Sequence, residues 1–278
     1  MRRRDFLAAA GALGSAPLLT ACGLNPARPP AGIETLLTAA PGRRRLLGDT
    51  APDTGVWAYN DEVPGQLLRC RQGDILDLHL RNRLPAPTSL HWHGLRVPNA
   101  MDGVPGLTQA PVAPGEDFHY RFTARNSGTF WYHPHFASAE QLERGLHGAI
   151  VVEEAQPPAV DRELVWVLDD WRLLADGNLD EGFDNRHDAS HGGRLGNTAT
   201  VNGRVPPDLS VRRGERIRLR LVNAANAWIF GLDFQGHSPR VIAYDGHAVE
   251  PHAPPGGLVT LGPSQRVDLI LDLTGEPG

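Results

Sequence analysis

Residues 73–82 read GDILDLHLRN, in which apolar and polar side chains alternate from one end to the other. Successive residues of a β-strand point to opposite faces of a sheet, so this pattern predicts a strand with one buried and one exposed face. Similar short stretches recur between turns rich in glycine and proline, which number 31 and 24 among 278 residues. This spacing is typical of an all-β sandwich.

The same pattern returns 141 residues later, counted from 73 to 214, where residues 214–223 read GERIRLRLVN. A second correspondence joins PGE at 114–116 to PSQ at 263–265, each of which precedes a further strand pattern. A repeat of this length indicates two related β-domains in tandem rather than one large domain.

The bounds of these segments follow from the repeat and from composition. Residues 45–154 are the first predicted domain, residues 155–161 (AQPPAVD) the linker, and residues 162–278 the second domain. Residues 22–44 are rich in proline, alanine, glycine and arginine, which predicts a tether.

The second domain is predicted to be incomplete. The first domain continues for 40 residues after Pro114, whereas 15 residues follow Pro263 in the second. A sandwich without its last strands has open edges and an uncovered core. We therefore expect the chain to be the N-terminal part of a longer protein, either through an incomplete gene model or through a real truncation.

Two pairs of histidines mark the first domain as a metal-binding candidate. His91 and His93 lie in SLHWHG, and His133 and His135 lie in TFWYHPH. Residues two apart on a strand share a face, so each pair projects together. Pro134 cannot donate to a sheet ladder and belongs at an edge or a strand end, where a metal has access. Imidazole pairs suit copper or zinc, and the alternative is a coincidental pairing among 12 histidines.

These residues resemble the multicopper oxidases, the family of laccases and bacterial copper oxidases. The resemblance extends to nearly everything after residue 45 and implies cupredoxin-like domains. It also implies that His91 binds the type 2 copper and that His93, His133 and His135 bind the type 3 pair. The motifs that carry it are HWHG at 91–94, DGVP at 102–105, TFWYHPH at 129–135 and RGLHGAIVVE at 144–153.

The resemblance implies a laccase-like reaction, in which one-electron oxidation of a reducing substrate is coupled to four-electron reduction of O2 to water. The family uses eight histidines for its trinuclear copper cluster, of which this chain offers four. Its type 1 copper needs a cysteine in a His-Cys-His run, which the chain lacks, and Cys70 is predicted to be a packing residue. The default substrate is a phenol or a similar small reductant.

Alternatives to an oxidase fragment remain. One is a truncated copper-binding or structural protein without turnover. Another is a two-domain oxidase that completes its cluster across an oligomer, although self-association cannot supply a type of ligand that the sequence lacks. A missing C-terminal cupredoxin domain is the partner that the first hypothesis requires.

Asp102, in the turn after the first histidine pair, is predicted to be catalytic. Reduction of O2 consumes protons, and a carboxylate beside the cluster can relay them. The matching acid in the family has that role. The alternative is a turn aspartate that bonds its own backbone.

The remaining histidines are predicted to lie outside the site. His79 and His119 occupy polar strand positions and are interpreted as surface residues, and His147 as structural. His187 and His191 are predicted to be solvated loop residues, because their surroundings do not favour a stable helix. In the second domain the repeat replaces the first histidine pair with Leu232 and Phe234.

The N-terminus predicts export. Residues 1–21 combine the basic run RRR with a short apolar segment, which is typical of an export signal and too short to span a bilayer. The paired arginines resemble a twin-arginine signal. The run LTAC at 19–22 resembles a lipobox, so Cys22 would be a lipidated first residue in the periplasm or cell envelope. The alternative is an ordinary cleaved signal with a chance cysteine.

Charge excludes some partners. All 27 basic residues are arginine, they are scattered along the chain, and the net charge is −5. Neither nucleic acid nor an anionic membrane surface is therefore an implied partner. Membrane contact is expected only through a lipid on Cys22, and its acylation would leave Cys70 without a disulfide partner.

Overall fold

The structure, a computed structural model, describes residues 32–275 and consists mainly of β-strands. Strand accounts for 46% of the residues and helix for 7%, which confirms the predicted all-β class. Among the residues described, no helix has the length and apolar character needed to cross a membrane. The predicted export signal and Cys22 lie outside the described residues.

Sixteen strands and two short helices occur within the described range. The first eight strands are β1 (Gly32–Arg44), β2 (Thr54–Tyr59), β3 (Gly65–Arg71), β4 (Ile75–Asn82), β5 (His91–His93), β6 (Asp117–Thr123), β7 (Gly128–His133) and β8 (Gly148–Glu153). The next eight are β9 (Arg162–Trp171), β10 (Thr198–Val201), β11 (Arg216–Asn223), β12 (Phe230–Asp233), β13 (Arg240–Tyr244), β14 (His247–His252), β15 (Leu258–Leu261) and β16 (Arg266–Asp272). The α-helices are α1 (Ser138–Glu143) and α2 (Arg186–Ser190), and 3₁₀ turns cover Asn99–Met101 and Pro255–Gly257.

The first sandwich consists of two four-stranded sheets, with the strand orders β2-β1-β4-β6 and β3-β8-β7-β5. The stretch at 73–82 contains β4, in which Leu76, Leu78 and Leu80 are buried and the residues between them face outward. Trp92 and Tyr120 meet edge to face in the core, with ring centroids 5.4 Å apart. The alternating pattern therefore predicted this strand correctly.

The prediction of a tether was wrong over residues 32–44, which form β1. This strand pairs in parallel with β4 and antiparallel with β2. Leu37 and Ala39 are fully buried, so the segment contributes to the core. Composition misled the prediction, because proline and glycine in one half of the segment masked an apolar strand whose partners lie elsewhere in the sequence.

The second sandwich has a six-stranded sheet of order β10-β9-β11-β16-β13-β14, and β12 and β15 form a separate two-stranded sheet. Its core includes Ile217, Leu219 and Leu221 on one face of β11. The opposite face of β11 is buried as well, although the alternating pattern predicted an exposed face there. It carries Arg218 and Arg220, which face the first sandwich.

A buried charge network joins the two sandwiches. Asp268 on β16 accepts a hydrogen bond from Thr129 on β7 at 2.6 Å, and from Arg218 and Arg220 at 2.7 and 2.9 Å. Arg220 also donates to Thr129 at 2.9 Å. The side chains of Arg218, Arg220 and Asp268 are exposed by only 3%, 1% and 2%. A buried charge is tolerated only when it is paired, so these groups depend on one another.

We expect Asp268→Asn to lower the free energy of unfolding by about 1–3 kcal/mol, because Arg218 and Arg220 would lose their most buried carboxylate partner and keep only Glu154 and Glu163. Urea unfolding followed by tryptophan fluorescence measures the change. Asp272→Asn is the matched control, since Asp272 on the same strand pairs with Arg216 at the exposed surface and should cost about 0–1 kcal/mol. Equal losses in the two variants would contradict a special role for the network.

Candidate metal centre

Two short antiparallel strands bring the histidine pairs together. In the register of β5 against β7, His91 lies opposite His133, and His93 lies opposite Trp131. Residues opposite each other point to the same face, so all these side chains lie on one side of the sheet. Trp92, between the two histidines, points to the other side and is fully buried in the core. The i, i+2 arrangement predicted for this pair is confirmed.

The second pair meets the first at the end of β7. The strand ends at His133, and Pro134 lies just beyond it, where a missing donor costs no ladder hydrogen bond. The backbone N–H of His135 donates to Ser89 Oγ at 2.9 Å. The ring of His135 then lies 4.5 Å from that of His91 and 5.2 Å from that of His133, measured between centroids. The structure thus places all four predicted histidines in one cluster.

Hydrogen bonds indicate which ring nitrogens are free. His91 Nδ1 lies 2.8 Å from the carbonyl oxygen of Asp102, and His133 Nδ1 lies 3.0 Å from that of Pro134. A carbonyl only accepts, so both Nδ1 atoms carry a proton and both Nε2 atoms keep a lone pair. His93 Nδ1 lies 3.2 Å from His133 Nε2. These two nitrogens of the two strands therefore converge on one point.

The surroundings favour the neutral form of three imidazoles, those of His93, His133 and His135. Burial, followed by the nearby Arg266 guanidinium and the neighbouring imidazoles, lowers the pKa of His93 to about 4. Burial and His91 also lower the pKa of His133 well below its ordinary value. The pKa of His135 is lowered in the same way, with burial as the largest cause. Neutral imidazole is the form that binds a metal.

The donor set fits a borderline metal such as copper. The ligand atoms of His91, His93 and His133 all lie within 4.8 Å of one another, and the ring of His135 contacts that of His91. Imidazole nitrogen is a ligand that copper and zinc prefer, whereas calcium and magnesium prefer oxygen. The Nδ1–carbonyl contacts of His91 and His133 are the outer hydrogen bonds that usually orient a metal-binding histidine.

Asp102 contacts His91 mainly through its backbone. It follows the 3₁₀ turn Asn99–Met101, and its carbonyl makes the 2.8 Å contact described above. Its carboxylate Oδ1 lies 3.4 Å from His91 Nδ1, and its side chain is 32% exposed. The residue thus orients His91 and also presents a carboxylate beside it. Both predicted roles, proton relay and turn aspartate, are compatible with this position.

Close packing requires a glycine after Asp102. Gly103 has φ +74°, and a Cβ built on it would lie 1.8 Å from the carbonyl oxygen of Leu90. No other residue can therefore bring this turn so close to the start of β5. The DGVP motif indicated the position, but this contact is visible only in the structure.

Sequence reasoning missed a contribution from the second sandwich. Arg266 on β16 reaches the centre, and its guanidinium would lie 2.3 Å from a Cβ built on Gly94, next to His93. It is anchored by the carbonyl oxygens of Ser264 and Asp245 at 2.8 and 3.1 Å. Nothing in the sequence distinguishes this arginine from the other 26 basic residues.

Other predicted residues lie outside the cluster. His147 is buried, with Nε2 at 3.0 Å from Asp169 Oδ2. Cys70 is buried in β3, which confirms its packing role, and burial followed by nearby acidic groups raises the pKa of its thiol to about 12. His79 and His119 lie on the outer face of the first sandwich.

The prediction of a loop was wrong for His187, which lies in α2, whereas His191 follows the helix in a turn. The helix α2 forms there because Asn185 Oδ1 caps it, accepting hydrogen bonds from the backbone N–H groups of His187 and Asp188 at 2.8 and 3.4 Å. Asparagine is a favoured N-cap, and this signal was overlooked among the surrounding glycines. Both histidines are nevertheless exposed, as predicted.

Two models of the family described as multicopper oxidase match the chain, over residues 43–157 and 162–277. The chain therefore belongs to the multicopper oxidase family, which confirms the resemblance and identifies copper as the metal of the family's sites. The tandem sandwiches are accordingly cupredoxin-like.

Several relatives show how much of a whole protein the chain represents. Multicopper oxidase MmcO of Mycobacterium tuberculosis is 32% identical, over 98% of this chain and 62% of its own length. Copper resistance protein A of Pseudomonas syringae pv. tomato is 34% identical, over 70% and 39%. The crystal structure of a multi-copper oxidase from Pseudomonas thermotolerans superimposes with a TM-score of 0.84 at 41% identity, covering 88% of this chain and 59% of that one. The chain thus spans less than two thirds of each.

We expect Gly103→Ala to weaken copper binding by about 10–100-fold, because the new Cβ would push the Asp102 carbonyl away from His91. Copper titration against a competing chelator measures the affinity. Gly106→Ala is the control in the same loop, since Gly106 has φ +78° but open space around its Cβ position. The control should keep its copper affinity. It should lose only about 1–2 kcal/mol in the free energy of unfolding, the cost of a positive φ for alanine. Unchanged copper affinity in Gly103→Ala would refute the orienting role of Asp102.

Proposed function

We propose that this chain is the N-terminal part of a laccase-like multicopper oxidase, which couples one-electron oxidation of a small reducing substrate to four-electron reduction of O2 to water. The observation that carries the proposal is the four-imidazole cluster at the end of β5 and β7, in a chain of the multicopper oxidase family. Phenols or similar reductants are the proposed substrate class.

Each histidine has a proposed place in the cluster. We assign His91 to the type 2 copper and His93, His133 and His135 to the type 3 pair. Copper, when bound, supplies the one-electron redox steps that reduction of O2 requires. The protein supplies neutral, oriented imidazoles: the Asp102 and Pro134 carbonyls direct Nε2 of His91 and His133 inward.

The chain's own residues also shape the environment of the cluster. Trp131 stacks on His133 with ring centroids 4.1 Å apart and restricts the rotation of this imidazole. Trp131 on the histidine face of β7 and Tyr132 on its core face are both buried, so this part of the strand is closed to water on both sides. Arg266 adds a positive charge beside His93, which disfavours protonation of that ring.

Asp102 is proposed to relay protons to the cluster. Its carboxylate lies next to His91 and is partly exposed, so it can take a proton from solvent and hold it beside the cluster. Proton transfer by a positioned carboxyl group is worth about 10²–10⁴-fold in rate.

A further cupredoxin domain is the proposed partner of this chain. The family's cluster needs four more histidines, and its electron-entry site needs a copper thiolate. Cys70 does not provide one, because it is buried in a strand of the first sandwich and its thiol stays protonated. We assign the first cupredoxin-like domain to residues 32–154, because β1 pairs with β2 and β4, and the second to residues 162–278. The positioning contacts around His91 support copper binding, and membership of the oxidase family favours an oxidase over a truncated copper-binding or structural protein without turnover.

Export through the twin-arginine route is also proposed, with acylation of Cys22 as a membrane anchor. The support comes from RRR at the start of the chain and LTAC at 19–22. This would place the cluster in the periplasm or at the cell envelope.

The main test uses the chain with and without its proposed partner domain. After copper loading, the 278-residue chain alone should bind copper weakly, show no blue thiolate–copper band and consume no O2 with a phenolic reductant. The full-length protein should show the blue band and should consume O2 with the same reductant. His133→Ala in the full-length protein should abolish O2 consumption and keep the blue band, because His133 serves the cluster and not the electron-entry site.

The matched control is His237→Gln, since His237 is an exposed histidine of the second sandwich. It should keep both the blue band and O2 consumption. Copper-dependent turnover by the 278-residue chain alone, or full activity of His133→Ala, would overturn the proposal.

A second test addresses the proposed role of Asp102 in proton transfer. Asp102→Asn keeps the backbone carbonyl that orients His91 but removes the acid, so kcat of the full-length protein should fall by about 10²–10⁴-fold with copper content unchanged. Stopped-flow or O2-electrode rates and copper analysis measure both quantities. An unchanged kcat would show that Asp102 is a turn residue only.

A further inference from the structure

The outer face of the first sandwich carries a second group of metal-ligating side chains. His79 on β4 lies directly opposite His119 on β6 in the antiparallel register. Their rings stack with centroids 4.2 Å apart and an angle of 5° between planes. Asp77 lies two residues before His79 and therefore on the same face of β4. The group belongs to the β2-β1-β4-β6 sheet, whereas the four-histidine cluster belongs to the opposite sheet.

Asp77 links the group together. Its Oδ1 lies 2.5 Å from His119 Nε2, and its Oδ2 accepts a hydrogen bond from Arg121 at 2.9 Å. One ligand atom from each of Asp77, His79 and His119 lies within 4.8 Å of the others. Neighbouring ligands of one ion lie about 2.8–3.3 Å apart, from square-planar to tetrahedral geometry, when the bonds are ~2.0 Å long. Small side-chain rotations would bring all three atoms to that distance, and their exposure on a sheet surface permits such rotations.

We propose that Asp77, His79 and His119 form a surface site for a single borderline divalent cation, with Cu²⁺ as the favoured ion. Two imidazoles and one carboxylate are a donor set for Cu²⁺, Zn²⁺ or Ni²⁺ and a poor one for Mg²⁺ or Ca²⁺, which take oxygen ligands. At a given site of this kind Cu²⁺ binds most tightly among the divalent ions of the first transition row.

The partial exposure of the ligands predicts a site that exchanges its metal. The side chain of His119 is 46% exposed and that of Asp77 is 22% exposed, so solvent would complete the coordination. On the neighbouring strand β1, Glu34 lies in register with Asp77 and lines a shallow recess together with His79. This carboxylate adds negative charge on the same face. A site with three protein ligands and open positions exchanges its metal, unlike a closed structural site.

Of the two arginines on this face, Arg121 limits the affinity for a cation. Arg121 occupies one oxygen of Asp77, and its positive charge opposes a cation nearby. Arg81 is engaged by Asp117 at 3.0 Å, so its charge is already paired. The competing interpretation is a cross-strand histidine pair that stabilises the sheet and binds nothing. Affinity measurements on matched variants separate the two.

The experiment is a Cu²⁺ titration of the full-length protein, with bound ion counted by electron paramagnetic resonance. The wild type should bind one equivalent more than the double variant His79→Gln/His119→Gln, and that equivalent should show nitrogen coupling from imidazole. Arg121→Gln should tighten this equivalent several-fold, because it frees Asp77 Oδ2 and removes a positive charge. His237→Gln should leave it unchanged.

The same titration in a His133→Ala background separates this site from the four-histidine cluster, since the extra equivalent should persist there. Thermal midpoints check that each variant is folded. Equal Cu²⁺ stoichiometry and affinity in the wild type and the folded double variant would overturn the proposal and leave a cross-strand packing pair only.

Discussion

A single buried carboxylate, that of Asp268, ties the metal centre to the second sandwich. It binds Thr129, which lies on the same strand as His133, and together with Glu154 and Glu163 it balances the charges of Arg218 and Arg220. Because none of these groups can be left unpaired in the interior, the position of β7 against the second sandwich has little freedom. The strand that carries Asp268 also carries Arg266, which sets the charge beside His93. The histidines come from one domain, but their position and protonation depend on both.

Those features of the site that depend on the two-residue repeat of a β-strand, or on a single residue type, could be predicted from the sequence. His91 and His93 share a face because strand geometry repeats every two residues, and Pro134 marks a strand end because it lacks a donor. The alternation in β4 likewise predicted its buried leucines. These features depend on neighbours in the sequence, so the sequence alone is sufficient to infer them.

Features that depend on distant pairing could not be predicted. The register that places His91 opposite His133, the burial of both faces of β11 and the reach of Arg266 all require knowledge of how the strands assemble. Residues 32–44 were misassigned for the same reason, since their partners β2 and β4 decide their structure. The contact of Gly103 with Leu90 is a close approach of two backbones, which no local pattern reports.

The parallel pairing of β1 with β4, of β3 with β8 and of β9 with β11 has a consequence for folding kinetics. Each pair closes a long loop, and the bond between Thr129 and Asp268 joins residues 139 apart. Long-range pairing of this kind slows folding, because loop entropy is lost before the contacts form. During synthesis the first sandwich is complete well before β11 emerges, so the side of Trp131 and Ala149 that packs on Val222 stays uncovered for that interval. The interval before the second sandwich docks is therefore when the chain is most exposed to aggregation.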